Sequence, residues 1–344
     1  MCEGEHADGR VTDERQGARP GEGERARGRA AKFYIRGSPR PRLCHARNMK
    51  ALPAALVLMA ACTARAQDGD IRVGGGTIHL SVDGQPDDAA ALHRWVESSA
   101  RAVSAYLGRF PVPEVWLGVR VGPGSRINGG VTRGGRRPNI HVRVGAAAGD
   151  SEFRDDWVLT HEMLHLAFPD LTTNDSWAEE GLSTYAEPWA RARVGLTAPD
   201  EVWPGLVTGF PNADPGNVSS GLHGTRDWGR TYWGGALFWM LADMEIREKS
   251  GGKKGLPDAL RGILDAGGDI RADWTLARAL AAGDRAVGQD TLSALYERLG
   301  AAPGKVDLAD LWRKLGVRRA GRGVTYDDSA PQAGVRKAIG SAGG

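Results

Sequence analysis

The sequence predicts an α+β fold, a mixed N-terminal lobe of strands and one helix followed by an all-helical C-terminal lobe. Two observations carry this. β-branched residues recur at period two between Gly and Pro breaks up to about residue 144, and apolar residues recur at helical spacing after Asp150. A third sets the boundary: residues 1–48 are rich in Arg and Gly with almost no apolar periodicity, so they cannot bury enough surface to join a core.

That first segment carries eleven Lys and Arg against seven Asp and Glu. It reads either as a disordered extension or as the product of a mis-called start, with Met49 the true initiator. Residues 49–66 follow the secretory pattern: Met49-Lys50, the apolar run Ala51 to Ala61 and a small-residue exit, a run too short to span a bilayer stably. Two processing sites compete. Met59-Ala60-Ala61-Cys62 resembles a lipobox that would leave a lipid on Cys62, and Ala64-Arg65-Ala66 would release a soluble chain at Gln67. Either implies export, to the periplasm, the envelope as a lipoprotein, or the medium. Removing the surplus of four from the formal +3 leaves about −1, which gives no electrostatic reason to expect nucleic acid or an anionic membrane as partner. Membrane attachment is expected only through a lipid on Cys62. Cys2, Cys44 and Cys62 are the three cysteines, so the fold from Gln67 has no internal disulfide.

The N-terminal lobe, 67–150, holds strands at Thr77 to Val82, Val115 to Val121 and Asn139 to Val144. Between the first two, Leu92, Trp95, Val96, Val103, Tyr106 and Leu107 fall on one face of a helix over Asp87 to Leu107. Gly122 to Pro138, with Arg and Gly throughout, reads as a mobile loop. The helical lobe, 151–320, opens with Asp155 to Ala167, which stops before Pro169, and continues with Glu179 to Arg193. Trp228 to Lys249 is the longest helix, and Leu256 to Ala266, Leu276 to Ala282, Thr291 to Leu299 and Leu308 to Leu315 follow. The Gly- and Ala-rich tail, 321–344, is expected to be disordered.

Where the lobes meet stands His161-Glu162-Met163-Leu164-His165. Residues four apart on a helix share a face, so both imidazoles can reach one metal ion, while Glu162 can take a proton from water at the open coordination position. Such a site suits Zn2+, which brings the pKa of water to roughly 7. A catalytic zinc wants a third protein ligand, and Trp177-Ala178-Glu179-Glu180-Gly181-Leu182 offers one on the next helix.

These motifs resemble the gluzincin zinc metallopeptidases, in particular the catalytic domains of the alanyl aminopeptidase and glycyl aminopeptidase families. The resemblance implies a thermolysin-like zincin with the zinc site between its lobes. The W-x-x-E-G pattern makes Glu180 the third ligand, and Glu179, about 100° round the helix, is expected to face solvent. Arg230-Thr231-Tyr232-Trp233-Gly234-Gly235 matches the segment whose Tyr donates to the oxyanion, a role the resemblance gives to Tyr232. His223, in a Gly-flanked loop, is a second donor candidate. The tryptophans, Trp157, Trp177, Trp189, Trp228, Trp233 and Trp239 among them, read mainly as core.

The sequence also departs from these families. Fourteen residues separate His165 from Glu180, a shorter connection than is usual there, and Ile127-Asn128-Gly129-Gly130-Val131 lacks the acid of the G-x-M-E-N segment that holds a substrate amino terminus. The strand Asn139 to Val144 is the expected edge for an added peptide strand. The reading is an exported zinc metallopeptidase acting on peptide or protein. The alternative is an inactive gluzincin-like binding protein of the cell envelope.

Overall fold

The computed structural model describes residues 69–214 and 221–341. The 1–48 extension, the signal segment and both processing sites lie outside the described residues. The first element is a hairpin of β1 (Gly69–Val73) and β2 (Gly76–Asp83), followed by helix α1 (Ala89–Leu107) and strands β3 (Glu114–Gly122), β4 (Ile127–Arg133) and β5 (Asn139–Gly145). The five strands form one sheet in the order β1-β2-β3-β5-β4. The β2/β3 and β3/β5 pairs are parallel, and β1 and β4 close the two edges antiparallel.

One face of this sheet is the core. Ile78, Leu80, Leu117, Val119, Ile140 and Val142 alternate inward and are buried beneath α1, whose Leu92, Trp95, Val96 and Val103 complete the layer. Asp88 caps α1 by accepting from Ala91 N at 2.8 Å, and Gly108 ends it in the left-handed conformation at φ 82°.

Helices α2 (Asp150–Asp155), α3 (Val158–His165) and α4 (Ser176–Arg193) follow, then α5 (Pro199–Gly209), α6 (Gly235–Lys249), α7 (Leu256–Asp265), α8 (Leu276–Val287), α9 (Thr291–Leu295) and α10 (Leu308–Leu315). The expected helix from Asp155 starts later because Asp156 is extended. Its carboxylate accepts from Val158 N and Leu159 N, each at 3.1 Å, and from the Trp95 indole at 3.0 Å, which pins the start of α3 to α1. A buried network ties three other helices: Tyr185 of α4 donates to Asp243 of α6 at 2.8 Å, and the same carboxylate accepts from Arg247 and from Leu256 N of α7.

Three expectations fail here. Gly122 to Pro138 is no mobile loop, because Ile127–Arg133 pairs with β5 through a register shift between Ile127 and Gly130. The C-terminal part is not wholly helical, since β6 (Val317–Ala320) and β7 (Gly323–Tyr326) form a hairpin. Nor are residues 321–341 of the expected tail disordered, 342–344 lying outside the described residues: α11 (Ala333–Gly340) buries Ala333, Arg336 and Ile339, and Arg336 donates to the Leu315 carbonyl at 2.7 Å. Its few apolar residues find a surface that composition does not disclose.

Candidate metal centre

Helix α3 places His161 and His165 one turn apart, with ring centroids 5.0 Å from each other. Helix α4 brings Glu180 to them. Its Oε2 lies 3.2 Å from His161 Nε2 and 3.6 Å from His165 Nε2. Two ligands of a tetrahedral zinc, each about 2.0–2.1 Å from the ion, stand about 3.3 Å apart, so these two separations are close to two edges of such a tetrahedron. Among the described residues, these are the three His, Cys, Asp or Glu side chains whose ligand atoms gather in this way, all within 4.8 Å of one another. The donor set therefore fits zinc.

The electrostatics of the ion-free cluster follow from that closeness. Burial opposes charge on His165, but the Glu180 carboxylate outweighs it and pushes the imidazole up to about 9. Burial would likewise raise the Glu180 carboxyl, yet the His165 and His161 imidazoles hold it well below the usual carboxylate range. A cation is what the cluster stabilises.

Glu162 is buried, and what holds it was not visible in the sequence. Thr132 of β4 sets its hydroxyl 2.6 Å from Glu162 Oε2 and 2.8 Å from the Glu162 carbonyl. Gly130, on the same face of β4, allows this contact: a Cβ there would sit 2.6 Å from Glu162 Cγ. The strand over the acid is β4, the true edge of the sheet, whereas Asn139–Gly145 lies inside it between β3 and β4. That corrects the expected edge.

Tyr232 sits in a π-helical turn, Arg230–Gly234, at the start of α6, a local widening frequent at functional sites. Its ring stacks 6.3 Å from that of His161. Burial, then the Glu180 carboxylate, raises its hydroxyl pKa, so the phenol stays protonated as a donor must. Two glycines make this approach possible. A Cβ on Gly181 would fall 2.3 Å from the Gly235 backbone, and one on Gly235 would fall 2.1 Å from the Trp177 carbonyl. Helices α4 and α6 therefore touch backbone to backbone beside Glu180.

Other expectations are redistributed. Glu179 does not face solvent; its Oε1 accepts from Leu171 N at 3.0 Å, and burial, against the pull of His165, pushes its carboxyl up to about 8. His223 turns to Asp175, 2.9 Å away, rather than to the cluster. Trp157 and Trp228 are not core, being 43% and 53% exposed. Their rings end a row in which Trp228, Tyr232, His161 and Trp157 follow at centroid distances of 5.8, 6.3 and 5.5 Å.

No protein-family model matches this sequence, and no curated protein matches it. Solved structures do. An aminopeptidase N family protein from Idiomarina loihiensis aligns at a TM-score of 0.48 with 13% identity, over 79% of this chain and 48% of that one. An M1 zinc metallopeptidase from Deinococcus radiodurans aligns at 0.42 with 18% identity, over 69% and 53%. Native yeast LTA4 hydrolase aligns at 0.45 with 16% identity, over 72% and 43%. The chain thus spans about half the length of the structures it resembles.

Proposed function

We propose that this chain is an exported zinc metallopeptidase of the gluzincin type, a thermolysin-like zincin in which His161, His165 and Glu180 hold the ion. The observation that carries the reading is the gathering of the His161, His165 and Glu180 ligand atoms within 4.8 Å, with the Glu180 carboxylate 3.2 and 3.6 Å from the two Nε2 atoms, close to the ligand spacing about a tetrahedral zinc. When bound there, zinc supplies Lewis-acid chemistry, acidifying water and polarising a carbonyl. The chain's own residues do the rest. Glu162, oriented by Thr132, takes the proton of the attacking water and passes it to the leaving amine. Tyr232 donates its hydroxyl to the carbonyl oxygen as negative charge develops there. An extended peptide adds along β4, the free edge, and the exposed rings of Trp157 and Trp228 offer apolar surface to its side chains. The acid that would fix a substrate amino terminus is missing from β4, so internal bonds are the expected targets.

The test is Glu162→Gln with zinc content measured beside activity. The variant should keep about one zinc per chain and lose several orders of magnitude in hydrolysis of unstructured peptides. A wild-type chain fully loaded with zinc that cleaves nothing in a broad peptide library would sink the peptidase reading and leave a binding protein.

A further inference from the structure

The sheet that covers Glu162 has a second, exposed face. From Val115 to Gly149 the chain holds six arginines and no acidic residue. Set against a formal +3 for the whole chain, and the surplus of four on residues 1–48, these six leave the remainder at −7. Like the shorter stretch from Arg313 to Arg322, this one is therefore strongly basic against an acidic remainder.

Strand register turns that stretch into a surface. Residues paired across neighbouring strands project to the same side. One row runs Asp70, His79, Trp116, Asn139, Arg133, with Asp70 and the nearby Glu114 both turned to His79 at 2.8 and 3.5 Å; the next runs Ser81, Gly118, His141, Val131; a third runs Asp83, Arg120, Arg143. Arg126 precedes β4 and Arg136 and Arg137 follow it; every one of the six arginines is exposed. Asp83 approaches Arg120 at 3.3 Å, but both are at least 75% exposed, which makes the pair weak. Among the described residues no carboxylate comes within ion-pair reach of Arg126, Arg133, Arg136, Arg137 or Arg143. Arg120 and Arg143 even stand directly opposite each other across two strands, a destabilising placement of like charges. His141 responds to the same field: burial, then Arg133 and Arg120, hold its imidazole below the ordinary value.

We propose that this face docks on an anionic lipid surface, with the arginine forks taking headgroup phosphates. Guanidinium groups match phosphate oxygens in pairs. The face is a sheet rather than a groove, about 15 Å across from β2 to β4 at the usual strand spacing, and so suits a planar array of charge. Two other anionic partners fit less well. Single-stranded nucleic acid needs aromatic rings free to stack on bases, and Trp116 is already taken by His79 at 4.8 Å and by the Arg137 guanidinium at 4.3 Å. A protein partner needs an apolar centre, which this patch lacks. The inference does not depend on the peptidase reading.

The experiment is co-sedimentation of the full chain with phosphatidylcholine vesicles, with and without phosphatidylglycerol. The basic segment 1–48 and the apolar run Ala51 to Ala61 are common to all forms compared, so the deciding contrast is between wild type and a variant with Arg133, Arg136, Arg137 and Arg143 changed to Gln. Wild type should bind the anionic vesicles more tightly, and the variant should lose about tenfold or more of that gain. A second variant, Arg278→Gln with Arg285→Gln, removes charge elsewhere and should bind as wild type. Unchanged binding by the four-arginine variant, with its Tm and zinc content intact, would overturn the proposal. So would arginine-dependent capture of single-stranded RNA without any of anionic vesicles.

Discussion

In the mechanism proposed for Glu162, a buried glutamate that accepts a proton needs its orientation fixed without losing its charge, and Thr132 is placed to do this. Its hydroxyl lies 2.6 Å from Glu162 Oε2 and carries a single proton. Thr132→Val keeps the shape and removes the donor, so turnover should fall roughly 10-fold or more, as expected for a hydrogen bond to a charged group, with KM and zinc content unchanged. Thr132→Ser should restore most of it; a Val variant as fast as wild type would remove Thr132 from the mechanism. The two neighbouring glutamates separate in the same way. Glu180→Ala should abolish zinc binding, while Glu179→Gln, whose amide oxygen can still accept from Leu171 N, should leave metal content alone. Tyr232→Phe tests the next step. A donor that acts only in the transition state should cost about 10²-fold in turnover and little in substrate affinity.

Between elements, the contact that matters most is the one with no side chains. Gly181 and Gly235 let α4 and α6 approach until a Cβ on the first would meet the Gly235 backbone at 2.3 Å. Backbone cannot yield as the end of a flexible side chain can. Gly181→Ala should therefore lower stability by about 1–3 kcal/mol and also slow turnover, because the helices must part where Glu180 faces Tyr232. Gly205→Ala in α5 is the control: nothing lies within 4 Å of its added Cβ, so thermal denaturation should show it neutral or slightly stabilised. Strand β4 teaches a related lesson. Its sequence, with adjacent glycines at Gly129 and Gly130, has little strand preference, and it is extended because β5 offers it a ladder of hydrogen bonds.

At the scale of the whole molecule, buried charge links stability to pH. Burial, opposed by Arg191 at 3.3 Å and aided by Asp156, pushes the Glu187 carboxyl up to about 8. A folded-state pKa above the unfolded value of 4.5 means that its stabilising contribution is complete below pH 4.5 and is lost as pH rises towards about 8. The difference in Tm between wild type and Glu187→Gln, followed across that window, should shift against wild type as pH increases; a difference independent of pH would refute the assignment. The sequence by itself determined the parts whose information is local. Period-two and helical patterns located β2, β3, β5, α1 and most later helices, and the spacing of His161 and His165 by one helical turn put both imidazoles on one face. What only the tertiary structure decided was whatever depends on residues far apart in the chain. Thr132 meets Glu162 across thirty positions, and β4, not β5, proves to be the edge above the site. The near-neutral charge of the chain beyond residue 48 conceals a sheet face bearing unpaired arginines, because a sum over residues carries no direction. Register assigns each side chain to a face, and register is set by pairing between strands that the local sequence does not specify.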